Sequence, residues 1–331
     1  MSFKFNDVYI SIYSFGYSAG FISDSRRGDE FNIITPARMI KICHQYGYSG
    51  IELPVDRYFP TFDKIEITSF IDNIYKNNLG IKIDFENISA EYSKNIIPIL
   101  ANYGIKYFRV KVSNFYGCNR YRHPEFESDF ELFSQYVDEI LPFLKEFGIQ
   151  LLIENHQDII VDDYHRLWNR FPKEYIGVNW DTGNSLPALE SPNNFLNTMY
   201  PYIGNIHLKD YKIYKTDLGY KLSRCPLGQG VVNFSDILSF FKEKKIEIPV
   251  TIELGALNSR NSDIYVDDFW NALPEVSDFR KQNFIKYIES NYQTQIEIKS
   301  TWENKQSPES IYLSELNDME LSVKYLNGLE I

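Results

Sequence analysis

The feature that most constrains the fold is a recurring junction, in which an amphipathic segment ends at glycine and an isoleucine-rich β segment follows directly. The junction occurs in QYGYSGIEL, NNLGIKID, NYGIKYFRV and EFGIQLLIE, at Gly47, Gly80, Gly104 and Gly148. Glycine suits the left-handed conformation that ends many helices, and β-branched residues suit buried strands. These glycines are 33, 24 and 44 residues apart, a spacing typical of βα units in a parallel sheet.

Counting strand-like segments gives eight, with a helical pattern expected between each one and the next. They span 8–13, 50–55, 81–85, 106–112, 149–154, 175–181, 203–209 and 249–254. Eight strands alternating with helices predict an α/β fold of the (βα)8 TIM barrel type. An open doubly wound sheet would normally carry a glycine-rich phosphate loop after its first strand, and FGYSAGFISDSRRGDEF has no such spacing.

The chain after the eighth strand predicts an insertion and a closing helix. Residues 256–306 are too many for a simple loop, and a helical pattern occurs around 276–295. Ser307 and Pro308 form a helix start, and the apolar stripe that follows predicts the closing helix: Tyr312, Leu316, Met319, Val323 and Leu326. We expect one barrel domain over 1–331, with the insertion as a lid, an oligomer surface or a decoration.

The net charge narrows the classes of binding partner, and the cysteine content indicates the cellular compartment. Thirty-four basic and 45 acidic side chains give a net charge of −11, which disfavours nucleic acid and anionic lipid as partners. No segment approaches the ~18 to 20 consecutive apolar residues that span a bilayer. Cys43, Cys118 and Cys225 are widely separated and odd in number, which predicts free thiols in a cytoplasmic protein.

Four consecutive predicted strands end in a residue that can bind a metal ion. These residues are Glu154, Asp181, His207 and Glu253. One acidic residue at a strand end is commonly solvated or caps a helix, but three carboxylates at one barrel mouth would repel each other without a cation. Oxygen ligands with one imidazole predict one divalent ion, Mn²⁺ first, with Mg²⁺ and Co²⁺ as alternatives. Side chains two residues earlier point the same way, and three of them are polar: Asn179, Asn205 and Thr251, beside Leu152.

The strings IENHQD, NWDTGN, NIHLKDY, PLGQGVVNF and VTIELG resemble the last four strand ends of the xylose-isomerase-like barrel superfamily, the sugar phosphate isomerase/epimerase group. The resemblance covers about residues 8–255 and is specific over 149–255. It implies that Glu154, Asp181, His207 and Glu253 bind one metal ion. It also implies that Glu154 and Glu253 face each other across the substrate as the proton-transferring pair.

The predicted function is a metal-dependent isomerase or epimerase of carbohydrate metabolism. A cation bound to a carbonyl and a neighbouring hydroxyl would stabilise the enediolate formed when a carboxylate removes the proton α to that carbonyl of a keto-sugar or polyol. A lyase on the same scaffold starts with the same proton removal. Relatives of that kind include a C-glycoside deglycosidase subunit acting on 3-oxo-glycosides and dehydratases of the dehydroshikimate and inosose type. An apurinic endonuclease and a barrel that only binds ligand are the weaker alternatives.

Four further residues are candidates for the same site. His156 lies two residues beyond Glu154 and is predicted to be catalytic, although a hydrogen-bonded structural histidine fits equally. Asn184, Lys209 and Arg224 are predicted to bind substrate. Asn184 replaces a histidine of some epimerases, Lys209 also suits an ion pair with a carboxylate, and Arg224 also suits an exposed position. The expected partner is a small sugar or glycoside, and a homo-oligomer or a partner subunit stays open.

Overall fold

A computed structural model describes residues 7–27, 34–113, 119–255, 257–294 and 299–329. Its strands are β1 (Val8–Ser11), β2 (Gly50–Pro54), β3 (Gly80–Asp84), β4 (Tyr107–Val110), β5 (Gln150–Glu154), β6 (Ile176–Asp181), β7 (Ile203–Leu208), β8 (Asp210–Thr216), β9 (Gly219–Cys225), β10 (Val250–Ile252) and β11 (Arg260–Ser262). Eight of them, β1 to β7 and β10, pair in parallel and close into a barrel. This confirms the predicted (βα)8 fold.

Helices follow the barrel strands and pack around them. They are α1 (Pro36–Tyr46), α2 (Val55–Tyr58), α3 (Lys64–Lys76), α4 (Ala90–Asn102), α5 (Phe126–Phe147), α6 (Val161–Arg170), α7 (Pro192–Met199), α8 (Phe234–Lys244), α9 (Asp267–Asn271), α10 (Asp278–Ser290) and α11 (Pro308–Gly328). The largest hydrophobic core lies between these helices and the barrel strands. Because the strands are parallel, all their carboxyl ends open at one mouth of the barrel.

Three of the four junction glycines have the predicted left-handed backbone. Gly47, Gly104 and Gly148 have φ angles of 73°, 73° and 62° at helix ends. The prediction was wrong for Gly80, which lies inside β3. A Cβ atom at Gly80 would stand 2.1 Å from the hydroxyl oxygen of Tyr9, so this glycine leaves room for the Tyr9 ring at the lower end of the barrel.

A β-hairpin lies between β7 and α8, where only a helical pattern was expected. Strands β8 and β9 pair antiparallel, and β11 from the segment after β10 joins β9 to complete a three-stranded sheet. Side chains of this sheet share a second hydrophobic cluster with α9 and α10, including Ile213, Tyr220, Phe269 and Phe284. Helix α10 confirms the helical pattern around 276–295. The division of the chain into one domain stays a prediction.

The closing helix α11 begins as predicted, with the Ser307 hydroxyl accepting the backbone N–H of Ser310. Its fully buried face differs from the predicted stripe, because only Met319 is common to both. The other predicted residues are partly buried and pack against the core from its side. Glu315 turns inward because its carboxylate accepts the backbone N–H groups of Tyr17 and Ser18, at 2.9 and 3.1 Å. This helix therefore anchors the loop after β1.

Two observations bear on the predicted compartment. Cys43 and Cys225 are buried free thiols, while Cys118 lies outside the described residues. Within the described ranges, none of the helices combines the length and the apolarity that crossing a membrane requires. A cytoplasmic location stays a prediction.

The loop PLGQGVV after β9 is organised by the buried carboxylate of Asp210. This carboxylate accepts the backbone N–H groups of Gly228, Gly230 and Val232 at 2.8 to 3.0 Å. A Cβ atom at Gly230 would lie 2.2 Å from Asp210 Oδ1, so glycine is required for this approach. The loop thereby closes over the base of the hairpin.

Replacing Asp210 with Asn is expected to lower the free energy of unfolding by about 1–3 kcal/mol, because an amide NH₂ would face backbone N–H donors. Urea titration followed by circular dichroism measures this change. Asp217→Asn, at an exposed position in the hairpin turn, is the matched control and should leave stability unchanged. Equal stability of both variants would contradict the assigned role of Asp210.

Candidate metal centre and substrate cavity

The structure brings the four predicted ligand residues together at the carboxyl ends of the last four barrel strands. Each of Glu154, Asp181, His207 and Glu253 offers one ligand atom, and these atoms all lie within 4.8 Å of one another. Glu154 ends β5, Asp181 ends β6, His207 lies near the end of β7 and Glu253 directly follows β10. Whether they bind an ion stays a prediction.

Two buried cations lie between these carboxylates. Arg109 of β4 places its guanidinium nitrogens 2.8 Å from Glu154, 3.0 Å from Asp84 and 3.6 Å from Glu253. Lys209 pairs with Asp181 and lies 2.9 Å from Glu253 Oε1. Lys209 thus forms the ion pair that was the alternative to substrate contact. These pairs hold the carboxylates close to one another.

A hydrogen-bonded network beneath the ligands orients His207. Its Nε2 lies 2.6 Å from Glu52 Oε1, and the other Glu52 oxygen accepts the Thr251 hydroxyl at 2.7 Å. Lys82 donates to Thr251 and Asn205 at 2.8 and 2.7 Å, and Asn205 donates to Asn179. The polar residues two before the ligands therefore form a layer that holds Glu52, which in turn holds His207.

For three ionisable groups of this cluster, burial and the neighbouring opposite charges shift the pKa in opposite directions. Burial raises the pKa of Asp181 to about 7, although Lys209 opposes the change. Burial also acts to lower the pKa of His207, but Glu52 and Glu253 outweigh it and raise that pKa to about 10. Burial acts to raise the pKa of Glu52, and His207 outweighs it to leave that pKa at about 2.

The donor set fits a divalent ion. Five acidic side chains are buried here together with His207 and three Lys or Arg side chains: Glu52, Asp84, Glu154, Asp181 and Glu253 with Lys82, Arg109 and Lys209. His207 Nδ1 lies 3.1 Å from Glu253 Oε2, and Glu154 Oε2 lies 2.8 Å from a guanidinium nitrogen of Arg109, so both atoms face charged groups of the cluster. Opposite ligands of an ion with ~2.1 Å bonds stand about 4 Å apart, so the cluster needs only slight contraction.

Asn184 contacts two of the predicted ligands. Its side-chain amide donates to Glu154 Oε1 at 3.1 Å, and its backbone N–H donates to Asp181 Oδ1 at 3.0 Å. Gln157 donates to the Asn184 amide oxygen at 3.1 Å. Asn184 is buried and does not line the cavity over the cluster, so these contacts position the carboxylates. Its predicted contact with substrate stays a prediction.

A cavity of about 310 Å³ opens over the cluster. Glu253, Lys209, Arg109 and His156 contribute to its lining, with aromatic rings that include Tyr13 and Trp302. Burial and the positive charges of Lys111, Lys209 and Arg109 lower the pKa of His156 well below its usual value, so its ring is neutral. The space and lining suit a polar molecule of monosaccharide size.

Arg224 is not among the residues that line this cavity. Its guanidinium donates to the Gly255 carbonyl oxygen at 2.5 Å and to Asp318 at 2.9 Å. These contacts join the hairpin to the chain after β10 and to α11. The predicted contact of Arg224 with substrate stays a prediction, and the observed contacts account for its burial without one.

Sequence reasoning missed the charged residues of β2 to β4, namely Glu52, Lys82, Asp84 and Arg109. A signal for them was present, because each lies within the otherwise apolar strings GIELP, GIKID and YFRV. Alternation along a strand places Lys82 and Asp84 on one face, and a charge on the inner face of a closed barrel requires a partner there.

Comparison with known proteins gives one family match. A family model described as xylose isomerase-like TIM barrel matches residues 40–269. The Escherichia coli (strain K12) protein YihM is 24% identical over 214 residues, which are 62% of each chain. The 3-oxo-isoapionate decarboxylase of Pectobacterium atrosepticum is 23% identical over 116 residues, 34% of this chain and 42% of that protein. The chain thus spans about three fifths and two fifths of the length of these relatives.

Two solved structures have the same overall arrangement. A xylose isomerase-like TIM barrel protein from Mycobacterium smegmatis in complex with magnesium has a TM-score of 0.54 and 16% identity, covering 87% of this chain and 98% of that one. The apo 3-keto-D-glucoside 4-epimerase of E. coli has a TM-score of 0.52 and 11% identity, covering 86% and 99%. At these identities the likeness shows the fold.

Replacing Glu52 with Gln is expected to weaken Mn²⁺ binding by about 10- to 100-fold, because the His207 ring loses its anionic partner. Competition with a fluorescent chelator measures the affinity. Glu86→Gln removes a half-buried carboxylate paired with Arg57 and is the matched control. Unchanged Mn²⁺ affinity in Glu52→Gln would show that Glu52 does not support the ligand set.

Replacing Lys209 with Met is expected to destabilise the metal-free protein by about 3–5 kcal/mol, because Asp181 and Glu253 lose a buried counter-charge. Saturating Mn²⁺ should restore more stability in this variant than it adds to the unmodified protein, since the ammonium and the ion share the same oxygens. Thermal unfolding with and without Mn²⁺ measures both effects. Lys212→Met is the control, and equal metal-free stability of the two variants would contradict the shared-oxygen account.

Proposed function

Because the chain belongs to the xylose isomerase-like TIM barrel family, we propose that it is a divalent-metal-dependent isomerase or epimerase of a keto-sugar or related polyol. The observation that carries this proposal is the buried ligand set of Glu154, Asp181, His207 and Glu253 at the base of a cavity of monosaccharide size. The proposed reaction begins with removal of the proton α to the substrate carbonyl.

The proposed ligands are three carboxylates and one imidazole, a set suited to Mn²⁺ and also to Mg²⁺ or Co²⁺. When bound, such an ion would supply positive charge near the substrate oxygens that become negative as the proton leaves. Arg109 and Lys209 hold the carboxylates in place at the cavity floor. Glu52 fixes the orientation of the imidazole.

Proton transfer is assigned to Glu154 and Glu253, with His156 as a third participant. Glu253 and His156 line the cavity, whereas Glu154 lies behind Arg109. Two carboxylates let one residue remove a proton and the other return one. Return to the same carbon from the opposite face gives epimerisation, and return to the neighbouring carbon gives isomerisation. The neutral imidazole of His156 offers one donor and one acceptor for substrate hydroxyl groups.

A lyase reaction is the second candidate, and the decarboxylase among the curated relatives favours it. Elimination, like decarboxylation, leaves negative charge next to a carbonyl group, so the same ligand set and cavity would serve. In that case a bond to a leaving group or to carbon dioxide breaks, and the substrate is an oxo-sugar acid or an oxo-glycoside.

The proposed function predicts deuterium exchange at carbon. In D₂O with Mn²⁺, NMR should show deuterium entering next to the carbonyl of one member of a panel of ketoses, oxo-sugar acids and 3-oxo-glycosides. Chelation should abolish exchange and added Mn²⁺ should restore it. Glu154→Gln and Glu253→Gln should each slow it by about 10²- to 10⁴-fold, a range typical of lost acid–base catalysis.

The product separates the two candidates. Exchange without loss of a group supports the isomerase or epimerase, and release of water, an aglycone or carbon dioxide supports the lyase. Glu139→Gln is the control, because this exposed carboxylate pairs with Lys94 on the outer helices. Exchange that persists at full rate after chelation would contradict metal dependence.

A further inference from the structure

The lining of the cavity contains two cations that lie outside the cluster of the four predicted ligands, Lys111 and Arg260. We propose that they bind a carboxylate group of the substrate, so that the substrate is an oxo-sugar acid. This inference rests on the proposed function, because it names the substrate class of the same site.

Lys111 is a half-buried lysine in the lining of the cavity. It directly follows β4 and lines the cavity two residues beyond Arg109. Arg109 and Lys209 are engaged by carboxylates of the cluster, but Lys111 forms no ion pair or hydrogen bond through its ammonium group with any residue in the described ranges. A half-buried ammonium group that faces a cavity without a carboxylate partner favours an anion there.

Arg260 brings a second cation to the same cavity from a different part of the chain. It begins β11, which pairs with β9 of the hairpin, and its backbone lies opposite Leu222. The charge of Arg260 acts to lower the pKa of Tyr211, another residue of the cavity lining. A planar guanidinium binds a carboxylate through two parallel hydrogen bonds.

The cavity has one wall with the cations Lys111 and Arg260 and a floor with the proposed metal ligands. The floor contains Glu253 of the proposed ligand set, which a divalent ion would bind. A substrate carboxylate is therefore attracted to Lys111 and Arg260, and its carbonyl end is left over the ligand set.

The part of the cavity that contains Lys111 and Arg260 suits a carboxylate better than a phosphate. Phosphate sites are commonly built from backbone N–H groups at a helix N-terminus or a glycine-rich turn. Lys111 and Arg260 instead contribute side-chain cations to a cavity that Phe21 and Trp302 also line, and aromatic rings suit the carbon skeleton of a sugar acid. A phosphate substrate is the competing outcome of the test.

The test compares three probes of one carbon skeleton: gluconate, sorbitol and sorbitol 6-phosphate. Isothermal titration of the Mn²⁺-saturated protein should show gluconate binding at least tenfold more tightly than sorbitol and more tightly than the phosphate. Lys111→Gln and Arg260→Gln should each reduce the preference for gluconate about tenfold, with little change for sorbitol. Lys111→Arg should keep the preference, and Lys106→Gln, an exposed lysine at the opposite end of the barrel, is the matched control.

Several results would overturn the inference. Absence of gluconate binding at millimolar concentration, equal affinity for sorbitol, or tighter binding of the phosphate each contradicts it. A preference that survives in the double variant Lys111→Gln/Arg260→Gln would place the carboxylate on the metal ion. Deuterium exchange keeps the two proposals apart. Equal exchange rates for neutral and acidic keto-sugars, unaffected by Lys111→Gln, would contradict the inference alone, whereas absence of exchange with every substrate would contradict the proposed function.

Discussion

The structure depends on neutralising the carboxylates that the barrel strands bring to one buried mouth. Glu154, Asp181 and Glu253 are almost fully buried, and Glu52 and Asp84 are buried beside them. Unpaired charges at such depth would cost several kcal/mol each, so the fold must provide cations at fixed distances. Arg109 and Lys209 meet part of this demand from the mouth, and Lys82 meets part of it from below. The carboxylate and imidazole atoms that the fold gathers within 4.8 Å of one another are the donors that a divalent ion would take.

This constraint explains why the barrel interior is polar over two layers. The upper layer contains the predicted ligands, and the lower layer contains Lys82, Asn205 and Thr251, which bond to each other and to Glu52. A dry hydrophobic interior under the ligands would leave Glu52 without donors and His207 free to rotate. The hairpin of β8 and β9 and strand β11 then add a wall above the mouth, which turns an open barrel end into a cavity.

The sequence predicted most reliably those residues whose place in a strand or helix follows from a local pattern. Strand-ending residues such as Glu154 and His207 were recognisable because parallel strands carry ligands at their carboxyl ends, and Ser307 was recognisable because helix caps are local. Arg109 and Glu52 were missed because one charge inside an apolar strand identifies its partner only after the barrel has closed. The hairpin was also missed, although the segment DYKIYKTDLGYKLSRC alternates with period two around a turn. The contacts of Arg224 depend on the position of α11, nearly a hundred residues away, and no local pattern encodes them.

The central claim is tested most directly by anomalous diffraction from a crystal soaked in Mn²⁺, recorded at the manganese absorption edge. The account predicts a single strong peak at the barrel mouth, about 2.0–2.3 Å from one atom of each of Glu154, Asp181, His207 and Glu253. It also predicts that the ammonium group of Lys209 moves away from the oxygens it shares with the ion. A map with no peak between these four side chains, while Lys209 and Arg109 keep their ion pairs, would contradict the account.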